Sequence, residues 1–477
     1  MSAPGSSSDR RSGKIKVREN ETRKEGGLTE QKTIDVDFTP QDLKRLIVPL
    51  IIEQLLAITV GLADSIMVAQ VGEAAMSAVS LVDTVNVLMV NAFSALATGG
   101  AVIAGQYLGR REAGMAGHAG TQLLLFMAES SLLITALFYL GKGFVLHVVF
   151  GQVAADVAAY ANTYYIIVEA SIPFLAMYSA GAALFRVMGN SRISMWVSIL
   201  MNAVNVTGNA ILIFGLHCGV EGVAIPTVAS RVVGAAVAMV LLYRPGLVMQ
   251  LEKPSLHHDG RIFKHILRFG VPNGLESSMF QLGKILLLST VSVLGTASVA
   301  ANAIGNTVCN FQIIPGHAIG LATVTVVSRC IGAGSYEKAR SYTKKLMKSA
   351  YIALTIATVA ILVVLPLILK LYNVSAEAEH YATVIIWLHS IVGIVIWVPS
   401  FALPQALRGV GDTRYTMIAS TVSMWTLRVG FGILLGRYWG FGVVGIWMAM
   451  MVDWVLRTIL FVHRFHGHKW EIMGIRE

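Results

Sequence analysis

Acidic side chains stand inside apolar stretches of this sequence, where a carboxylate is costly and therefore informative. In the first half they are Glu53, Asp64, Asp83, Glu129 and Glu169, against one comparable base, Arg231. An ionisable group inside a membrane costs several kcal/mol unless it is paired or hydrated, so each of these positions is a candidate site. Burial makes a carboxylate hold its proton more tightly, which lets it load and release H+ near neutral pH. Asp64 is the strongest candidate, because no base lies within two turns of it along its run. Asn202, Asn205 and Asn209 recur at spacings of three and four residues, so they line one face of a helix. Amide oxygens can ligate Na+ or accept from a protonated acid. Asp64, Asn205, Asn209, Asn202 and Glu53 form the candidate set for binding a coupling cation.

The second half has a different balance. Glu276 and Asp453 are accompanied by Lys284, Arg428 and Arg457, and internal salt bridges are expected among them. Asn302, Asn306 and Asn310 form a ladder at four-residue spacing, close to Gln312; with Glu276 and Lys284 they predict a second polar pocket. An intramembrane Asn more often bridges helices than binds an ion, and Gly99, Gly100, Gly105, Gly316 and Gly320 read as close-packing positions. Pro173, Pro315, Pro366, Pro399 and Pro404 read as kinks. No paired acid–base motif, phosphate loop or metal-ligand spacing is present, so no catalytic residue, metal or cofactor is expected and the chain does not read as an enzyme. The ion it uses is expected to be H+ or Na+.

The elements that position these residues follow from composition. The chain has 477 residues, 55% hydrophobic and 13% charged, where soluble proteins carry roughly 25% charge. About twelve apolar runs of about 20 residues are long enough to cross ~30 Å of hydrocarbon as helices. The fold class is therefore all-α, a polytopic membrane protein in the lipid bilayer. The net charge of +10 raises nucleic acid as a partner, but its placement argues against one. About twenty Lys and Arg fall in one set of loops, whereas the opposite set holds about three, Lys142, Lys370 and Arg437. That bias puts the basic loops and both termini in the cytoplasm of a plasma-membrane protein. The three cysteines, Cys218, Cys309 and Cys330, imply no disulfide framework.

In chain order, residues 1–40 are polar and read as a disordered cytoplasmic tail. Helices are expected at about 43–70, 76–106, 119–141, 157–187, 191–215 and 220–243, making a first lobe over 41–243. A polar connection, 244–269, follows, and its part from Gly260 to Gly270 has the composition of an amphipathic helix lying flat at the inner surface. Further helices at about 270–294, 297–331, 347–372, 379–408, 413–436 and 441–463 make a second lobe over 270–464, and 465–477 is a cytoplasmic tail carrying His466 and His468. The second lobe repeats the first about 223 residues later: Pro49 meets Pro272, Glu53 meets Glu276, Gly72 meets Gly295 and Gly109 meets Gly332. Gly189 similarly meets Gly411 in R-V-M-G-N-S-R and L-R-G-V-G-D-T-R. Six helices per repeat keep both lobes in the same orientation.

These stretches resemble the multidrug and toxic compound extrusion (MATE) family, of the NorM-like and DinF-like bacterial type. The resemblance rests on Pro49 followed by D-S-I-M-V-A-Q-V-G-E-A-A-M-S-A-V (64–79), A-G-Q-Y-L-G-R-R (104–111), N-A-V-N-V-T-G-N-A-I-L-I-F-G (202–215) and V-S-R-C-I-G-A-G (327–334). It covers nearly everything after residue 40. It implies two six-helix lobes around a central cavity that opens alternately to each side. It also implies export of organic cations or amphipathic drugs against H+ or Na+, by a working monomer. The family's first-helix acid falls on Asp64 and its helix 5 asparagine on Asn205; Asn209 stands where some members carry an acid. Glu276 sits about one turn earlier than the family's helix 7 acid, and helix 10 offers His389 in place of an acid. The alternative within the same architecture is a flippase for a lipid-linked precursor.

Overall fold

Lipid offers the backbone no hydrogen-bond partner, so every apolar run closes its own bonds as helix. The computed structural model describes residues 36–149, 154–253 and 256–474; nearly all of the expected tail 1–40, and the last three residues, lie outside it. The first lobe comprises α1 (Pro40–Ala69), α2 (Glu73–Gly109), α3 (Ala113–Leu140), α4 (Ala155–Glu169 with Ile172–Val187), α5 (Ser191–Gly215) and α6 (Glu221–Leu242). The second comprises α7 (Gly260–Ser292), α8 (Thr296–Gly332), α9 (Tyr336–Tyr372), α10 (Ala376–Val410), α11 (Thr413–Tyr438) and α12 (Gly442–His466). Ten of these helices are long and apolar enough to cross a membrane, and the bent α4 makes an eleventh. The twelfth, α7, is interrupted by polar residues that face the interior, Glu276 and Lys284 among them.

The repeat is written into the backbone. Gly72 and Gly295, its equivalent, precede α2 and α8 with φ of 131° and 97°. Gly189 and Gly411 end the fourth helix of each lobe with φ of 82° and 103°. Side chains rarely adopt these angles, so the glycines fix where each helix starts or stops. Pro173 sits in the first turn of the second piece of α4, whose two pieces meet at 46°. The Pro399 region of α10 contains a π-helical turn, Val398–Ala402, and α11 contains two more.

One expectation is corrected. The segment Gly260–Gly270 does not lie apart as a surface helix; it is the first three turns of α7. Asp259 caps it, accepting from the Arg261 and Ile262 amides at 2.9 and 3.3 Å. Burial opposes the charge on Asp259, but these bonds and His118 outweigh it and hold the carboxyl below its usual range. Ile262, Ile266 and Phe269 then insert into the core of the first lobe, so the connection straps the lobes together.

The lobes meet at the end where the basic loops lie. Gly109 presses its α-carbon against the Arg329 carbonyl, and Gly332 presses against that of Gln106. These contacts are equivalents of each other under the repeat. Two side chains reinforce them in the same paired fashion: Gln106 Nε2 donates to the Gly409 and Val410 carbonyls (3.3 and 3.0 Å), and Arg329 Nε to that of Val187 (2.9 Å), the equivalent of Gly409. Towards the opposite end α2 and α7 part, and a cavity opens between them. α1 bridges both lobes, since Leu46 and Leu50 are buried in the core of the second.

Candidate functional site

In the first lobe, α1 and α5 bring Asp64 to the asparagine face. Asn209 Nδ2 donates to Asp64 Oδ1 at 2.8 Å, while the Asn209 Oδ1 is buried and accepts nothing. With its amide turned to satisfy both neighbours, Asn205 donates to both Asp64 oxygens at 2.8 and 3.2 Å and accepts from Thr227 Oγ1 at 3.3 Å. Among the described residues no Lys or Arg forms an ion pair with Asp64. Asn202 lies on the same helix, its Nδ2 buried without an acceptor. A second chain of contacts runs beside this site. Tyr164 donates to Asp83 at 3.2 Å, and Arg231 donates to Asn86 Oδ1 and Ser171 Oγ, both at 2.7 Å. Glu169 is buried, with one oxygen unpartnered.

Glu53 lies elsewhere. It is eleven residues before Asp64, roughly 16 Å along the helix. Its carboxylate accepts from Ser194 Oγ at 2.6 Å and faces Arg186 at 3.8 Å. Its repeat equivalent, Glu276, is bound by Arg408 at 2.5 Å, and Arg408 is the equivalent of Arg186. The same brace therefore ties the first helix of each lobe to the fourth. Of the salt bridges expected among Glu276, Asp453, Lys284, Arg428 and Arg457, none forms at Glu276, because Arg408, counted among the bases of the loops, reaches inward from the end of α10. The repeat held the signal: two glutamates with two arginines at matching offsets.

The second lobe does gather the predicted polar pocket. Glu276, Lys284, Asn306 and Asn310 line a cavity of about 400 Å3, with Phe280, Trp397 and Phe401 beside them. Lys284, Asn306 and Asn310 continue into an adjoining cavity of about 350 Å3, where Asn302 joins them and Asp83 faces them from the first lobe. Asn302 also accepts from the Trp447 indole at 3.0 Å, and His389 bonds to Gln312 at 2.8 Å. Asp453 and Arg457 pair at 2.8 Å with almost no exposure, as expected. Among the described residues neither Lys284 nor Arg428 forms an ion pair or a hydrogen bond, and the Arg428 guanidinium lies over the Phe280 ring at 5.2 Å.

The arrangement offers two kinds of chemistry, a carboxylate held by amides in one lobe and surplus positive charge beside aromatic rings in the other. Comparison with known proteins gives both lobes a family. The MatE family's sequence model matches residues 49–211 and again 272–434, once in each lobe. The uncharacterized transporter YisQ of Bacillus subtilis is 26% identical over 90% of this chain and 94% of its own. The probable multidrug resistance protein NorM of Thermotoga maritima is 25% identical over 90% and 93%. Among solved structures, the outward-facing conformation of a multidrug resistance MATE family transporter of the MOP superfamily superposes with a TM-score of 0.82, at 20% identity, over 89% of this chain and 95% of that one. The chain belongs to the MatE family: it is a multi-pass membrane transporter of the MATE type, not an enzyme.

Proposed function

We propose that this transporter is a secondary active antiporter that exports amphipathic, drug-like compounds by alternating access, with Asp64 carrying the coupling ion, H+ or Na+. The observation that carries the proposal is the Asn209 amide, which donates to Asp64 while its own oxygen is buried and unpartnered. A buried acceptor without a donor costs about 1–3 kcal/mol. A proton on Asp64 supplies that donor, and a Na+ beside it supplies a cation that oxygen ligands attract. Loading therefore rearranges the bonds between α1 and α5. Because the start of α1 is packed into the other lobe, a shift of α1 against α5 is a shift of one lobe against the other. The names of the multidrug resistance relatives support export of drugs. With the basic loops in the cytoplasm, the closed end is the inner one and the cavity opens outward.

Efflux of rhodamine 123 from proteoliposomes, driven by a pH gradient alone and then by a Na+ gradient alone, tests this reading. Efflux with the pH gradient that is lost in Asp64→Asn assigns H+ to Asp64. Efflux only with Na+, lost in the same variant, assigns Na+ to Asp64, Asn205 and Asn209. Full activity in Asp64→Asn refutes the proposal. The unpaired bases at Lys284 and Arg428 favour a second reading, a flippase for a lipid with an anionic head; gradient-independent externalisation of a fluorescent phosphatidylglycerol without rhodamine efflux supports it.

A further inference from the structure

Organic cations are the substrates that the family resemblance implies, yet the cavity of the second lobe has the opposite polarity. Four bases line it, Lys284, Arg408, Arg428 and Arg457, and the one acid on its wall is Glu276. Arg408 is neutralised by Glu276 at 2.5 Å, and Arg457 by Asp453 at 2.8 Å. Arg457 also donates to the Ser420 carbonyl at 3.0 Å, which fixes its fork. Lys284 and Arg428 remain, on α7 and α11, neither in an ion pair among the described residues; the carboxylate within electrostatic reach of Arg428 is that of Asp453, which Arg457 already pairs. An uncompensated base within a membrane is costly and marks the path of an ion or substrate; two that line the same cavity repel each other as well. The arrangement is stable when negative charge or water fills the space between the helices that carry them.

The cavity wall favours negative charge attached to a flat apolar body. Phe401 stacks on Trp397 with centroids 5.3 Å apart and planes at 22°, and Phe280 meets Phe401 edge-on at 6.2 Å. This aromatic wall continues directly into the two bases, since Arg428 lies over Phe280. A guanidinium is a planar fork that grips a carboxylate at two points, and a lysine adds a mobile point charge. Asp83 faces the adjoining cavity from the first lobe, but its carboxylate already accepts from Tyr164.

We propose that the second-lobe cavity is an anion-receiving site, in which Lys284 and Arg428 hold the anionic head of an amphipathic compound whose flat apolar part packs against Phe280, Trp397 and Phe401. This inference deepens the antiporter reading and rests on it, naming the charge class of the exported compound. The shared chemistry is an anionic head on an apolar body, carried by a soluble compound or by a lipid.

Binding of two dyes with the same tricyclic body and opposite charge tests it. Anionic fluorescein and cationic rhodamine 123 are titrated against purified full-length protein at constant pH and read by fluorescence anisotropy. Fluorescein is expected to bind, and to weaken about tenfold or more in Lys284→Gln and in Arg428→Gln, the loss expected for one charged hydrogen bond. Lys284→Arg restores binding, which separates charge from misfolding, and rhodamine 123 binding is undiminished by either substitution. Asp83→Asn leaves fluorescein binding unchanged or stronger. Short-chain phosphatidylglycerol that displaces fluorescein where phosphatidylcholine does not assigns the head to a lipid; displacement by neither assigns it to a soluble anion. Fluorescein that fails to bind, or binds equally to wild type and to folded Lys284→Gln and Arg428→Gln, overturns the inference. No gradient is applied, so the outcome is separate from coupling. Rhodamine efflux that persists without fluorescein binding leaves the antiporter standing, and fluorescein binding without gradient-driven efflux of either dye removes the antiporter instead.

Discussion

Asp64 keeps two amide neighbours and no base, so removing its charge tests coupling with little change of shape. Asp64→Asn is expected to abolish gradient-driven efflux while leaving the thermal unfolding midpoint within a few degrees of wild type. Asn209→Leu keeps the carboxylate but removes its donor at 2.8 Å; transport is expected to fall roughly tenfold, the effect of one hydrogen bond to a charged group. The buried pairs behave differently. Asp453 is fully buried against Arg457, and removing one partner of such a pair leaves the other charge stranded at a cost of about 3–5 kcal/mol. Asp453→Asn is therefore expected to lower the unfolding midpoint markedly in detergent, and an unchanged midpoint contradicts this account. At this scale the sequence was legible where spacing along one helix sufficed: the asparagine face of α5 and the lone acid of α1 stand out by residue type, although not that the two meet. It was illegible where partners are remote in the chain. Nothing local distinguishes Lys284 from Arg408 as the partner of Glu276, 132 residues away, and only the folded α10 brings the second to it.

Helix ends and helix approaches depend on glycine at a few positions, and there a single methyl group changes the state of the molecule. Any side chain at position 332 enters the Gln106 carbonyl, and one at 109 enters that of Arg329. Backbone cannot move aside as a flexible side chain can, so the helices must separate. Gly332→Val is expected to cost the closed end about 1–3 kcal/mol and to expose it. Reaction of a thiol-specific label at an introduced Ala333→Cys, a position buried at this contact, should become faster than in the otherwise unchanged chain, and an equal rate shows that the contact does not hold this end shut. The glycines that begin α2 and α8 were legible in the sequence because their neighbours repeat with them. The straight run of α7 through Gly260–Gly270 was not. Its charges suggested a surface helix, whereas its apolar residues fit a core supplied by α2, α3 and α4 of the other lobe. Sequence pattern reveals that a face is apolar, not what will cover it.

The proposed alternating access needs two states, and two lobes in one orientation, closed at one end and parted at the other, are built to supply them. The repeat established the lobes in advance, but which end is closed is a tertiary property: it depends on Gln106 reaching Val410 and Arg329 reaching Val187 across the interface. One bond is neutral and the other is donated by a charged group, so together they contribute roughly 2–3 kcal/mol. That is enough to move a two-state ratio by about 30- to 160-fold. Removing both, in Gln106→Leu with Arg329→Leu, is expected to shift the population towards the opposite state. Spin-label pairs report it, in a background lacking Cys218, Cys309 and Cys330. One pair at Arg111→Cys and Glu337→Cys spans the closed end, and another at Ser80→Cys and Leu288→Cys spans the cavity mouth. Each lobe has its own core, exchanged with the other at the starts of α1 and α7, so the lobes are expected to rock as bodies about those two starts: the first distance lengthens while the second shortens. Lengthening at the closed end with no shortening at the mouth means that the helices fray locally. The paired bonds then hold an interface together without setting the direction in which the cavity faces.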